Sequence, residues 1–321
     1  MLADTHIHFD GLMQAGDTIG AIMERATQAG VSHMIAIGGS VDANRTALEI
    51  ACAYPGRVRA AVGYNRDQTV AHRRQTTDNG PDKEDDGRQT TDARPEKTDM
   101  EADGGGRMPD DGKQTMDELE AMLAAPEVVA VGEIGLDFHH GRHVGPAPSR
   151  GAKWPLALRR GETALAQSEL FRRMLLLARD HRLPVCVHTR AAEAETLAAL
   201  REHAAAWCGA PNRIGVMHCF TGGEVFARDL LALGFYISFS GIITFKNAGG
   251  LLAVAALVPD DCLLIETDAP YLAPEPFRGQ PNEPANVRRV AEALAEIRHT
   301  SWETIAEITA RNAERLFGRA E

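Results

Sequence analysis

Six residues far apart in the chain carry the chemistry this sequence has to offer. His6 and His8 form a His-x-His pair, and Glu133, His188, His218 and Asp268 each close an apolar run. Alternate residues of a strand point to one side, so the two imidazoles of such a pair face one site. If the apolar runs are parallel strands, all six residues gather on the rim formed by the C-terminal strand ends. Imidazoles and carboxylates that close together disturb one another's titration and are costly to desolvate. A divalent cation resolves both problems. Six donors exceed the three protein ligands of one catalytic zinc. They suit two cations about 3.5–4 Å apart with one carboxylate bridging, an arrangement that activates water and stabilises charge on a reacting ester. Mixed nitrogen and oxygen donors accept Zn, Mn, Co, Fe or Mg to different degrees. Singly, each residue has a plainer role: a strand-end carboxylate caps the next helix, and a lone His188 or His218 is a satisfied core or loop histidine. Their joint placement is what favours a metal site.

The elements that must position these residues alternate regularly. Leu2–His8, Val31–Ile37, Val58–Gly63, Val128–Glu133, Pro184–His188, Ile214–His218, Phe235–Ser240 and Cys262–Asp268 read as buried strands. Amphipathic helical stretches follow them, among them Ser168–Arg182, Ala191–His203, Gly223–Leu233, Pro284–Arg298 and Ser301–Leu316. Apolar strands alternating with helices predict an α/β fold with a parallel, helix-covered sheet. Eight strands favour a closed (β/α)8 TIM barrel, with the open doubly wound sheet as the alternative.

Two stretches depart from this pattern. Residues 66–115 hold only six apolar residues against thirteen acidic and nine basic ones, and RQTTD recurs at Arg74–Asp78 and Arg88–Asp92, with KQTMD at Lys113–Asp117. Such a segment buries too little apolar surface to offset its ordering entropy and reads as a disordered acidic insertion. Residues 138–161 are rich in Gly and Pro and carry a local charge of +5 with no acidic residue. Without both segments 247 residues remain, close to the ~250 of a TIM barrel. Residues 1–321 therefore read as one barrel with two insertions on its active-site face. His33, His72, His181, His203 and His299 read as surface or core residues, and His139, His140 and His143 as loop residues.

Composition narrows the function. The chain is 44% hydrophobic and 25% charged over 321 residues, as in an ordinary globular protein. Its net charge of −11 argues against broad attraction to nucleic acid, so a polyanionic substrate needs a local positive source such as bound metal. The five cysteines are scattered and form no CxxC, which predicts reduced thiols and a cytoplasmic setting. The start MLADTHIHFD lacks the pattern of a secretory signal, and no apolar run reaches the ~20 residues of a membrane helix.

The motifs themselves resemble the TatD family of metal-dependent deoxyribonucleases, within the amidohydrolase-like barrels. They are Asp4-Thr5-His6-Ile7-His8, Gly132-Glu133-Ile134-Gly135-Leu136-Asp137, Val187-His188-Thr189-Arg190, His218-Cys219-Phe220-Thr221-Gly222 and Glu266-Thr267-Asp268-Ala269-Pro270-Tyr271-Leu272. Gln167 with Phe171, and the run Arg278 to Val287, add to the match. The resemblance implies a TIM barrel, two divalent ions (Zn, Mn or Mg) and hydrolysis of a phosphoester or related ester. It implies that His6, His8, Glu133 and Asp268 hold one ion and that Glu133, His188 and His218 hold the other. Glu133 then bridges, and Asp268 orients or deprotonates the attacking water. Arg190 and Arg278 are candidate substrate contacts. Asn282 and Glu283 either shape the same site or dock the final helices.

The chain departs from the family where the loop after the third strand usually reads Gly-x-His-Pro. Here it is Gly63-Tyr64-Asn65-Arg66, so a histidine is missing. The leading expectation is a deoxyribonuclease, a 3′–5′ exonuclease by its relatives, with DNA (single strands or 3′ ends) as partner and no membrane. Hydrolysis of another ester, such as that of D-aminoacyl-tRNA, is the nearest rival, and a non-catalytic metal-binding scaffold the rival of another class. A basic 138–161 loop could guide a polynucleotide toward the metals. The sequence does not fix the oligomeric state, and a monomer is compatible with it.

Overall fold

A computed structural model describes residues 1–68, 110–139 and 156–318. Among them, eight strands pair in parallel, each with its neighbour in sequence: β1 (Leu2–Ile7), β2 (Val31–Gly39), β3 (Val58–Tyr64), β4 (Val128–Asp137), β5 (Val185–Arg190), β6 (Gly215–Met217), β7 (Tyr236–Phe239) and β8 (Leu263–Ile265). Helices cover the outside: α1 (Phe9–Gln14), α2 (Ile19–Gln28), α3 (Val41–Ala53), α4 (Asp110–Leu123), α5 (Leu156–His181), α6 (Glu193–Ala205), α7 (Glu224–Ala232), α8 (Gly249–Leu257), α9 (Val287–Ile297) and α10 (Trp302–Phe317). The fold is a TIM barrel, nearly closed, as the count of eight strands predicts. Residues 110–114 and 156–163 are described as backbone alone.

Helix starts follow local chemistry. Thr18, Ser40 and Ser301 each accept a hydrogen bond through the side-chain oxygen from the backbone N–H three residues on. The buried faces are periodic: Met116, Leu119 and Leu123 on α4, and Phe171, Met174, Leu175 and Ala178 on α5.

Strand faces divide the core into two layers. Ala36, Ala60, Val62, Val131, Val187, Met217 and Ile237 pack outward under the helices. Ala3, Ile35, Ile37, Ala61, Cys186, Val216, Tyr236 and Leu264 fill the barrel, where Ala313, Leu316 and Phe317 of α10 join them. Arg59 Nη1 donates to Phe317 O at 2.7 Å and Arg213 Nε to Leu316 O at 3.0 Å. These bonds seat the end of α10 against the starts of the strands and plug the end of the barrel opposite the rim.

Two strand ends differ from the sequence reading by three residues or more. β4 continues past Glu133 to Asp137, with a register shift between Val131 and Ile134. β8 stops at Ile265 instead of running to Asp268. The cause is barrel closure. Asp268 N donates to His6 O at 3.0 Å and His8 N to Ala269 O at 2.8 Å, so the residues after β8 pair with β1 outside a regular ladder.

The ends of both expected insertions also belong to the barrel. Residues 110–115 are helical in α4 and 156–161 in α5. Once a helix is anchored by its buried face, extending it adds a hydrogen bond per residue with no new nucleus. Phe138 packs against the core and its N–H donates to Arg190 O at 2.9 Å. The two RQTTD units and the basic residues Arg142, Arg150 and Lys153 lie outside the described residues. No helix among the described residues is long and apolar enough to cross a membrane. The five cysteines are all unpaired.

Candidate metal centre

The site is built by the same period-two rule that fills the barrel. Cys186, Val216 and Leu264 point inward, and two residues further on come His188, His218 and Glu266. Each strand therefore changes from apolar filler to ionisable group within one repeat. His6 and His8 come from the end of β1, and Asp268 reaches them through the closing backbone bonds. Glu133 is delivered by the irregular middle of β4. There the chain passes so close to β5 that a Cβ on Gly132 would stand 2.5 Å from Cys186 Cβ. One on Gly135, at φ +134°, would stand 2.0 Å from His188 O. Only glycine fits these two flanking positions.

The six expected residues meet. His6 Nε2 and His8 Nε2 are 3.2 Å apart, and Asp268 Oδ1 lies 3.8 and 3.5 Å from them. His188 Nδ1 and His218 Nε2 are 3.2 Å apart and lie 3.1 and 3.4 Å from Glu133 Oε1. The other oxygen of the same carboxylate, Oε2, is 3.9 Å from His8 Nε2. Donors held about 2.0–2.1 Å from one zinc at tetrahedral angles stand roughly 3.3 Å from each other. The observed spacings match that edge, and neighbouring imidazole nitrogens this close otherwise share at most one proton. The residues therefore fit divalent cations in two groups, His6–His8–Asp268 and Glu133–His188–His218. A third cluster, His6–His218–Glu266, is also close enough. There Glu266 Oε1 already accepts the Cys219 N–H at 2.7 Å and faces His218 Nδ1 at 3.3 Å, so its geometry is that of an orienting carboxylate.

Electrostatics follow from this crowding. Burial, with His218 and His8 beside it, holds His6 well below its ordinary pKa. Burial opposes the charge on His218, yet Glu133 and Glu266 overcome it and raise the pKa to about 10. Burial likewise opposes the charge on Glu133, but His188 and His218 keep its carboxyl well below the carboxylate range. Against the same opposition, His188 and Arg66 bring Asp137 to about 2.

Four residues near the centre escaped the sequence reading of the site. Glu266 orients His218. Asp137 Oδ2 lies 3.4 Å from His188 Nε2 and orients that ring in the same way. Asp4, fully buried, accepts from Thr267 N at 2.9 Å and Thr267 Oγ1 at 2.6 Å and so braces β1 against the Asp268 turn. Arg66, assigned from sequence to the acidic insertion, has Nη1 3.2 Å from Glu133 Oε1 and Nε 3.5 Å from Asp137 Oδ2. The first three were visible as acids two to four residues from a candidate ligand in sequence. Arg66 carried no such signal.

Other candidates are placed as follows. Arg190 ends β5 and is exposed. The Arg278 guanidinium lies over the Phe245 ring at 3.8 Å. Asn282 is buried and donates to Thr267 O at 2.8 Å and Tyr271 O at 2.7 Å, and Glu283 pairs with Arg25. Both therefore dock the closing segment. Tyr271, 57% exposed, stands edge-on to His8 with ring centroids 5.9 Å apart.

Comparison with known proteins gives a family model described as TatD related DNase, which matches residues 3–318. A metal-dependent hydrolase of Escherichia coli K12, YcfH, is 45% identical over 202 residues, or 63% of this chain and 67% of that one. The 3′-5′ ssDNA/RNA exonuclease TatD of Citrobacter rodentium is 34% identical over 209 residues, 64% of this chain and 70% of its own. The crystal structure of the TatD homologue YJJV from Escherichia coli superposes with a TM-score of 0.73 at 28% identity, covering 99% of this chain and 98% of the other.

Proposed function

The chain belongs to the TatD-related DNase family of metal-dependent hydrolases, and from that premise we propose that it hydrolyses phosphodiesters of single-stranded DNA, working from the 3′ end. The observation that carries the reading is the Glu133 carboxylate, which turns Oε1 to His188 and His218 and Oε2 to His8. One carboxylate between two imidazole groups suits a pair of cations. His6, His8, Asp268 and Glu133 would hold the first, and Glu133, His188 and His218 the second. Four imidazole nitrogens favour Zn or Mn over Mg, which prefers oxygen and retained water. When bound, such ions supply Lewis-acid charge at the scissile phosphate and lower the pKa of a water.

The chain's own groups set the geometry of attack. Asp268 Oδ1, beside His6 and His8, orients the attacking water and takes its proton. Glu266 and Asp137 fix the rings of His218 and His188, so that one nitrogen of each faces Glu133. Arg190 and Arg278 are candidate contacts to the strand beyond the scissile bond. The name of the Citrobacter relative supports single-stranded nucleic acid as substrate.

The test is a metal add-back assay. Protein stripped of metal is given a single-stranded oligonucleotide with Zn, Mn or Mg. Nucleotides released from the 3′ end in the presence of metal, and lost in Asp268→Asn, support the reading. Hydrolysis of an aminoacyl-tRNA ester with no action on DNA or RNA replaces it with the ester alternative. Stoichiometric metal with no turnover on any of these substrates leaves a metal-binding scaffold.

A further inference from the structure

Arg66 is, among the described residues, a cation of this centre that metal binding gives no role. It follows β3 in the run Gly63-Tyr64-Asn65-Arg66, and only 21% of its side chain is exposed. Its Nη1 lies 3.2 Å from Glu133 Oε1, the oxygen that also faces His188 Nδ1 at 3.1 Å and His218 Nε2 at 3.4 Å. A guanidinium and a divalent cation thus compete for one carboxylate oxygen. Like charges at that range repel strongly in a low-dielectric pocket. Arg66 has a second hold that metal does not contest: its Nε is 3.5 Å from Asp137 Oδ2.

We propose that Arg66 is a phosphate-binding residue of this site that works by exchange. In the metal-free protein it neutralises Glu133. When the Glu133–His188–His218 group takes a cation, the guanidinium yields Oε1, stays on Asp137 through Nε, and turns its terminal nitrogens to a non-bridging oxygen of the substrate phosphate. The inference rests on the phosphoester reading above.

Three features support it. A guanidinium is planar, always charged and shaped to grip two oxygens at once, which suits it to phosphate better than to a point contact. The carboxylates Glu133, Asp137, Glu266 and Asp268 crowd the rim of a chain with net charge −11, so an anionic substrate gains from a fixed cation beside the metals. Asp137 holds both Arg66 Nε and His188 Nε2, so the arginine is aligned with the same ring that the cation engages. The competing account is a static ion pair that merely holds Glu133 in place.

The two accounts predict opposite changes in metal binding. Full-length wild type, Arg66→Ala, Arg66→Gln and Arg66→Lys are stripped, titrated with Mn or Zn, and then, fully loaded, titrated with inorganic phosphate. Expected are metal binding by Arg66→Ala and Arg66→Gln that is at least as tight as in wild type, and phosphate affinity at least tenfold weaker. Arg66→Lys should recover part of the phosphate affinity, and the oligonucleotide KM should rise more than kcat falls. Weaker metal loading in both neutral variants overturns the exchange in favour of the static pair. Equal phosphate affinity in wild type and variants overturns it with the phosphoester reading intact. Absence of phosphate binding in wild type as well overturns the exchange, and the oligonucleotide assay then decides the phosphoester reading by itself. Arg66→Gln retains most of the side-chain stem, so circular dichroism of the two neutral variants separates misfolding from loss of charge.

Discussion

The two ends of the barrel are built from the same strands and do opposite work. At the closed end, Cys186, Val216 and Leu264 meet Leu316 and Phe317 in an apolar plug. Two residues along, the same strand faces present His188, His218 and Glu266, with Glu133, His6 and Asp268 beside them. The plug stabilises by removing apolar surface from water. The rim gathers groups that cost free energy to bury and is held by what surrounds it: the Asp4–Thr267 brace, the closing bonds from Asp268 and His8, and the Asn282 dock. Along β5, and past the ends of β6 and β8, stability and chemistry are thus separated by about one repeat of the pleat, which lets the rim be strained in charge without loosening the fold.

That division makes the ends separable by mutation. Replacing Glu133 by Gln removes the shared carboxylate. Metal stoichiometry should fall, and kcat/KM should drop by about 10³ or more, on the order of 4 kcal/mol. The urea midpoint of the metal-free protein should move less than in the plug variant. Inductively coupled plasma analysis of bound metal, beside the activity assay, checks this. A Glu133→Gln enzyme with full metal and full activity breaks the comparison. Replacing Phe317 by Ala should cost about 3–5 kcal/mol of stability. Metal content and activity per folded molecule should stay near wild type, as chemical denaturation and single-temperature assays would show. Loss of metal binding in that variant would mean that plug and rim are not independent.

Buried histidines sharpen the contrast. His218 sits between two carboxylates and is raised to about 10, whereas His203 on α6 is 1% exposed and is lowered to about 4 by burial and by Arg179. For His203 the sign is clear. Between its ordinary 6.5 and about 4, the unfolded chain binds a proton that the folded protein refuses, so stability falls as pH falls through that window. The loss is about 2 kcal/mol at pH 5. In His203→Leu the drop in urea-unfolding free energy between pH 7 and pH 5 should shrink by that amount, measured on metal-free protein. An unchanged drop would place the acid sensitivity elsewhere.

Much of this was legible before any coordinates. The alternation of apolar runs with helical stretches marks eight strands in order, because parallel strands covered on both faces leave continuous apolar segments. The six ligand candidates stand out together, because plainer roles arising independently would not all fall at the ends of such runs. The strand ends that differ, at Asp137 and Ile265, differ because β4 shifts register around Glu133 and because β1 pairs with the turn after β8. Both are agreements between distant segments that a local pattern does not encode.

The chain's own order of residues marked the eight strands, the apolar filler and the six donor candidates, since period and side-chain type are local properties. Only tertiary structure decided which oxygen of Glu133 faces which imidazole, and that Glu266 and Asp137 steer His218 and His188. It also moved Arg66 from a supposed solvent segment onto the Glu133 carboxylate. Those outcomes depend on ångström-scale distances between residues separated by tens to hundreds of positions, and such distances exist only once the barrel has closed.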